Sequence, residues 1–251
     1  VIKGINYFKN YDFDIVHTHS PRSDFLVYLC SLFLSKSLKR IVTIHGKYGT
    51  YLQGNFLIDF LRKIFIKQQS KIWEKANKVI VISESIRDWL EKLNSSIKPT
   101  VIPYGVEIQE VSQKNKLANP TLGYLGKLNK NKGIEDLIDV YTKFQEKENS
   151  SNFELTLLIG GTGSENYIKS LKNKIKDNNV KFLGYVEDRY SFFESIEIFV
   201  FPSYSEGLGL VLLEAMAHGV ICITRDVTPM NSIVDNEEIV VLFIDYKVVF
   251  E

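Results

Sequence analysis

Short β-branched runs alternate with longer stretches of helical period along the whole chain. DIVHTH from Asp14, RIVTIH from Arg40, KVIVIS from Lys78 and TVIPY from Thr100 predict four strands in the first part. Their near-continuous apolar character is what strands of a parallel, doubly covered sheet require. Helical patterns lie between them, at Asp24 to Leu34, Phe56 to Ala76 and Glu84 to Leu93, with Ser83 as the N-cap of the last. Residues 106–119 are polar, weakly periodic and followed by Pro120, and read as a linker. The pattern then restarts, with strands predicted at 121–126, 153–161, 180–184, 196–202, 220–224 and 239–244 and helices at 133–147 and 164–177. Strands alternating with helices predict an α/β protein of two Rossmann-like domains, 1–105 and 120–251, facing a cleft.

Composition changes this picture little. With 251 residues and 45% hydrophobic content, the chain can build one large domain or two modest ones. No apolar run approaches the roughly 18 residues of a membrane span. VIKGINYFKN lacks the apolar core of a secretory signal and lacks an initiator methionine, so a fragment is expected. Cys30 and Cys222 lie far apart in apolar surroundings and read as free thiols of a cytoplasmic protein. Charge is more informative. Residues 1–100 carry 16 Lys and Arg against 8 Asp and Glu, while the chain as a whole is at +1. A basic first part suits an anionic partner or surface. No nucleic-acid reading motif accompanies it.

The chemistry concentrates in FPSYSEGLGLVLLEAMAHG, residues 201–219. A strand ends, a glycine-containing loop carries Glu206, and a helix closed by Gly219 carries Glu214. The helix's first N–H groups, around Gly209 to Leu212, form a seat for a phosphate. Glycines at 207 and 209 let a ligand approach the backbone. One turn further, Glu214 is placed to accept from vicinal hydroxyls of a ribose. The plainer reading is a core helix whose single carboxylate reaches the surface. In LGYLGKLNKNKG, residues 122–133, Lys127 and Lys132 stand at a strand–helix junction, where two cations can neutralise a leaving diphosphate; a solvated lysine-rich turn is the alternative.

These stretches together resemble the retaining glycosyltransferases of family 4, the group 1 glycosyltransferases with the GT-B fold. The resemblance covers nearly the whole chain and is strongest over 120–224. It implies that Glu206 lies beside the donor sugar, that Glu214 binds the ribose and that Lys132 grips the donor diphosphate, with Lys127 where the family carries arginine. LLIGGTGSE from Leu157 is similar to the family's glycine-rich turn and includes Gly161. FLGYVED from Phe182 is similar to the segment that meets the base, against which Val186 is placed. Gly207, Gly209 and Leu210 complete the donor-binding set. In TIHGKYG, His45 matches a histidine that contacts the donor sugar; His17 reads as structural, and His19 as a residue one layer removed from the ligand or on the acceptor side. Glu206, His45 and Lys132 are the catalytic candidates. The chain departs from the family at Tyr104, where asparagine is usual, and at Thr228 to Ser232, where G-G-x-x-E is usual. The resemblance also implies strands and a glycine-rich loop preceding Val1, so an incomplete first domain is expected.

The implied reaction moves a sugar from a nucleoside-diphosphate sugar to an acceptor hydroxyl, of a glycan or lipid-linked glycan of the cell envelope, with retained configuration. A non-catalytic subunit and a nucleotide-sugar epimerase are the alternatives on this architecture. No resident cofactor or metal is expected. His17 and His19 form an H-x-H without a third ligand, and Asp12-Phe13-Asp14 precedes a strand instead of following one. Finally, the apolar stripe Leu57, Phe60, Leu61, Ile64 and Phe65 reads as a core face with solvated lysines opposite. The alternative is a basic amphipathic helix lying on the inner face of an anionic membrane.

Overall fold

A computed structural model describes residues 2–11, 13–34, 38–48, 56–108, 120–148, 154–175, 178–233 and 240–243. The chain divides into two compact units, Val1–Tyr104 and Gly105–Glu251. Most of the predicted linker, from 109 to 119, lies outside the described residues.

The first unit holds α1 (Ile2–Asn10), β1 (Ile15–Thr18), α2 (Pro21–Ser31), β2 (Lys39–Ile44), α3 (Phe56–Glu74), β3 (Lys78–Val81), α4 (Glu84–Leu93) and β4 (Thr100–Val101). Its sheet runs β1-β2-β3-β4, and every pairing is parallel. Helix α2 begins three residues earlier than its apolar pattern suggests. Ser20 caps it through the Ser23 N–H, and Pro21 occupies the first turn, where a missing N–H costs nothing. Ser83 caps α4 as expected, accepting from the Ile86 N–H at 3.3 Å. Helix α1 has no counterpart among the predicted elements.

Helix α3 corrects the sequence reading. The five residues of the expected core face are exposed, from Ile64 at 42% to Leu57 at 63%. The buried face is Asp59, Ile66, Gln69, Ser70 and Trp73. Its anchor is polar: the Trp73 indole N–H donates to Asp24 Oδ2 at 2.7 Å in the interior. Burial raises the Asp24 carboxyl above its ordinary range, opposed by hydrogen bonds from Thr18 and Trp73. On the outward side Phe60 and Ile64 are followed, at helical spacing, by exposed Lys67 and Lys71.

The second unit holds β5 (Thr121–Leu125), a 3-10 turn (Lys130–Lys132), α5 (Ile134–Glu148), β6 (Thr156–Gly160), α6 (Glu165–Lys174), β7 (Val180–Gly184), α7 (Arg189–Glu194), β8 (Ile198–Phe201), α8 (Leu210–Ala217), β9 (Ile221–Arg225), α9 (Met230–Ile233) and β10 (Val240–Phe243). Its six parallel strands run β10-β9-β8-β5-β6-β7. One core cluster gathers Phe193, Phe199, Phe201, Leu212, Ala215, Cys222 and Met230; another gathers Tyr124, Ile134, Ile138, Leu157, Ile159 and Leu171. Both cysteines are buried and neither forms a disulfide, and burial pushes the Cys222 thiol up to about 12. Among the described residues no helix is long and apolar enough to cross a membrane, and no group of three or more His, Cys, Asp or Glu could hold a metal ion.

Candidate active site

In the second sheet the winding reverses beside β5, which pairs with β6 on one side and β8 on the other. Open parallel sheets bind ligands outside the carboxyl ends of the strands at such a reversal. The loops leaving β5 and β8 carry the predicted charged residues. After β5 come exposed Lys127 and the 3-10 turn that ends at Lys132. Gly133 closes that turn at φ +66, and a Cβ there would stand 2.2 Å from the Pro202 carbonyl oxygen. Only glycine allows the two loops to approach this closely. The Tyr204 N–H donates to the Asn131 carbonyl at 3.0 Å, joining the loops directly.

Lys132 and Glu206 are in contact. The Lys132 ammonium donates to Glu206 Oε1, and the Ser203 hydroxyl donates to the same oxygen at 2.6 Å. The side chains are 21% and 13% exposed. A pair so placed is screened less than a surface ion pair, and losing one partner strands the other's charge. Gly207 lies half-buried in the same loop, and Gly209, at φ +81, occupies the N-cap position of α8. Leu210 is the first helical residue, 36% exposed. Leu212 and Ala215 bury the inner face of α8, and Gly219 ends it at φ +65.

Glu214 has a partner that the sequence pattern did not point to. Arg189 Nη1 donates to both of its carboxylate oxygens, at 2.7 and 2.9 Å. Arg189 opens α7, which Asp188 caps by accepting from the Ser191 N–H at 3.0 Å and from its hydroxyl at 2.6 Å. Gly161 sits where β6 leaves the sheet, at φ +136, and a Cβ there would fall 1.7 Å from the Gly126 carbonyl oxygen. Its N–H donates to the Gly184 carbonyl at 2.6 Å, so the ends of β5, β6 and β7 meet at glycine backbone. Val186 is half-buried and packs on the first core cluster.

In the first unit His17 and His19 face the same way, their rings 4.2 Å apart. His17 Nε2 pairs with the Thr43 hydroxyl at 2.7 Å. His45 lies between two partners: its Nε2 meets His19 Nδ1 at 3.0 Å, and its Nδ1 meets the Tyr104 hydroxyl. If the Tyr104 O–H donates to His45, the opposite His45 N–H donates to His19, and both imidazoles stay neutral. Burial first, and then the His19 and His17 imidazoles, hold His45 below its ordinary value of 6.5. Tyr104, met in the sequence only as a departure from a pattern, is therefore part of this relay.

Ser203, Arg189 and Tyr104 are contacts of the predicted residues, each within its own unit, that sequence reasoning missed. A hydroxyl three residues before Glu206 was a usable signal for Ser203. Arg189 and Tyr104 act across 25 and 59 positions and carry no local signature.

Residues 119–246, just over half of the chain, match the family model of glycosyl transferases group 1. The chain belongs to the group 1 glycosyltransferases. In this glycosyltransferase, residues 3–110 also match the family model described as glycosyltransferase family 4. The O-antigen biosynthesis glycosyltransferase WclY of Escherichia coli is 29% identical over 233 residues, which covers 86% of this chain and 62% of WclY. The capsular polysaccharide biosynthesis glycosyltransferase CapM of Staphylococcus aureus is 29% identical over 244 residues, 89% of this chain and 61% of CapM. The chain thus spans about three fifths of the length of these curated relatives. Among solved structures, Anabaena HepE in complex with UDP-glucose superposes with a TM-score of 0.77 at 18% identity, covering 96% of this chain and 67% of HepE. That likeness establishes the α/β fold of the GT-B glycosyltransferases for this group 1 member, here as a partial GT-B chain.

Proposed function

We propose that the protein transfers a sugar from a nucleoside-diphosphate sugar to an acceptor hydroxyl of a cell-envelope glycan or lipid-linked glycan, with retention of anomeric configuration. The observation that carries the reading is the Lys132–Glu206 contact at the reversal of the sheet, in the loop that leads into α8. As the sugar–phosphate bond lengthens, negative charge gathers on the diphosphate. Lys132, Lys127 and the first-turn N–H groups of α8, from Gly209 to Leu210, are the groups that meet it. Cations and peptide dipoles fixed in advance need no reorganisation during the reaction, and this proposal requires no metal.

Glu206, held by Lys132 and Ser203, orients the sugar. Glu214 takes the ribose hydroxyls, Gly161 keeps backbone close to the donor, and Val186 lies against the base. For His45 to offer an N–H to any ligand, one of its two present partners must turn aside. The envelope acceptor is suggested by what WclY and CapM are named for, and the nucleotide sugar by the UDP-glucose in HepE.

The acceptor side is proposed to meet the inner face of an anionic membrane. Helix α3 supports this with its exposed Phe60, Leu61, Ile64 and Phe65 beside Lys63, Lys67 and Lys71. An apolar face flanked by lysines is the pattern of helices that lie in a charged lipid interface.

The test is a panel of UDP-, GDP- and ADP-sugars offered to the full-length protein, with turnover and product configuration read by NMR. One donor consumed only with an acceptor, giving a product of unchanged configuration, is expected. Sugar epimerised without an acceptor would establish the epimerase instead. No turnover of any donor, with the wild-type site intact, would support a non-catalytic subunit.

A further inference from the structure

The loops that carry Lys132 and Glu206 are also joined by a polar brace, built on a buried arginine, that the donor-binding reading does not use. Arg225 ends β9, and its side chain is 6% exposed. Its Nε donates to the Pro202 carbonyl at 3.1 Å, and its Nη2 donates to Asp136 Oδ2 at 2.5 Å. The Tyr204 ring lies against the guanidinium, 4.0 Å from its central carbon, and the Tyr204 hydroxyl donates to Asp136 Oδ2 at 2.5 Å. Arg225 therefore grips the loop after β8 by its backbone and by an aromatic face. Through Asp136 it also grips the first turn of α5, four residues beyond Lys132.

We propose that Arg225 is a positioning residue which, with Asp136 and Tyr204, sets the register between the loop that carries Glu206 and the turn that carries Lys132. Each contact serves that end. Pro202 and Tyr204 bracket Ser203, the second partner of Glu206. Asp136 is fixed to the turn of Lys132 through the start of α5. A planar guanidinium can hold a carbonyl, a carboxylate and a ring at once, and an ammonium cannot. Arginine is thus required by geometry as well as by charge. A polar network anchored on a buried guanidinium fixes one arrangement when its members are paired.

The inference rests on the reading of Lys132 and Glu206 as donor-binding groups, and the test separates the two. In the full-length protein, Arg225→Lys and Tyr204→Phe are compared in the wild-type background and in Glu206→Gln. For Arg225→Lys, kcat is expected to fall about 10- to 100-fold, as for a displacement of about 1 Å at reacting groups. Tyr204→Phe, which keeps the ring and loses one hydrogen bond, is expected to give a smaller fall. In the Glu206→Gln background either substitution is expected to change turnover less than twofold, because the group being positioned is gone. Losses that multiply in full in both backgrounds would mean that Arg225 serves general stability, and would overturn the proposal. If the wild type turns over no donor, the donor-site reading fails and a crystal structure decides the brace. In Arg225→Lys, Glu206 is expected to have left Lys132 while β8 and β9 stay in place; an unmoved loop would overturn it.

Discussion

Glu214 holds Arg189 in the free protein, and the donor reading assigns it the ribose, so the two interactions compete. The Arg189 side chain is 54% exposed and that of Glu214 21%. For a pair so open to solvent the attraction is worth about 0.2–1 kcal/mol. Arg189→Ala should therefore leave stability nearly unchanged. It should tighten binding of the accepted donor's nucleoside diphosphate by at most about fivefold. Glu214→Ala removes a charged acceptor for two hydroxyls. Counting these as one charge-assisted bond, because water reaches the site, gives about 1.5–3 kcal/mol, or roughly 10- to 150-fold weaker binding. The double variant should bind like Glu214→Ala alone. Isothermal titration of the four proteins with one nucleotide measures all of this. Unchanged affinity in Glu214→Ala would refute the ribose assignment. Equal losses in both single variants would show that Arg189 itself holds the nucleotide.

Three further outcomes are expected. Gly161→Ala forces a Cβ into the Gly126 carbonyl at a backbone angle that other residues avoid, and should cost about 3 kcal/mol in urea denaturation; an unchanged midpoint would contradict the close-approach argument. His45 and His17 both sit below the ordinary 6.5, chiefly through burial. The unfolded chain thus binds protons that the folded one refuses, and their contribution, complete above about pH 6.5, is lost as pH falls through the lower folded values. The melting temperature of wild type should drop more steeply between about pH 7 and pH 5 than that of His17→Gln/His45→Gln; parallel curves would show that the imidazoles are not responsible. The full-length protein should sediment with vesicles containing anionic lipid. At about 1 kcal/mol per basic residue, Lys67→Gln with Lys71→Gln should weaken that binding about 30-fold; equal binding to neutral vesicles would remove the charge argument.

The strand alternation was legible because buried parallel strands leave continuous apolar runs, and β5, β8 and β9 fell where those runs placed them. The strand-end turns that bring Lys132 to Glu206 were marked by their glycines, because glycine permits close backbone approach. Helices α7 and α9 are too short, at six and four residues, to show a period. The face of α3 was misread for a different reason. Its apolar stripe has the right spacing for a core, yet the helix is held through Trp73 and Asp24, residues 49 positions apart. Periodicity identifies an amphipathic face and is silent on what that face meets. The brace of Arg225, Asp136 and Tyr204 was invisible because each residue, taken alone, reads as an ordinary polar position at the end of an element.

The central claim is that Glu206 and Glu214 divide one donor between them, sugar and ribose, with Lys132 on the diphosphate. A crystal structure of the full-length protein with an intact nucleoside-diphosphate sugar tests it most directly. The account predicts both ribose hydroxyls within about 3 Å of the Glu214 carboxylate, and the Lys132 ammonium within the same distance of a phosphate oxygen. A donor bound elsewhere, with Glu214 still closed on Arg189 and Lys132 touching only Glu206, would contradict it.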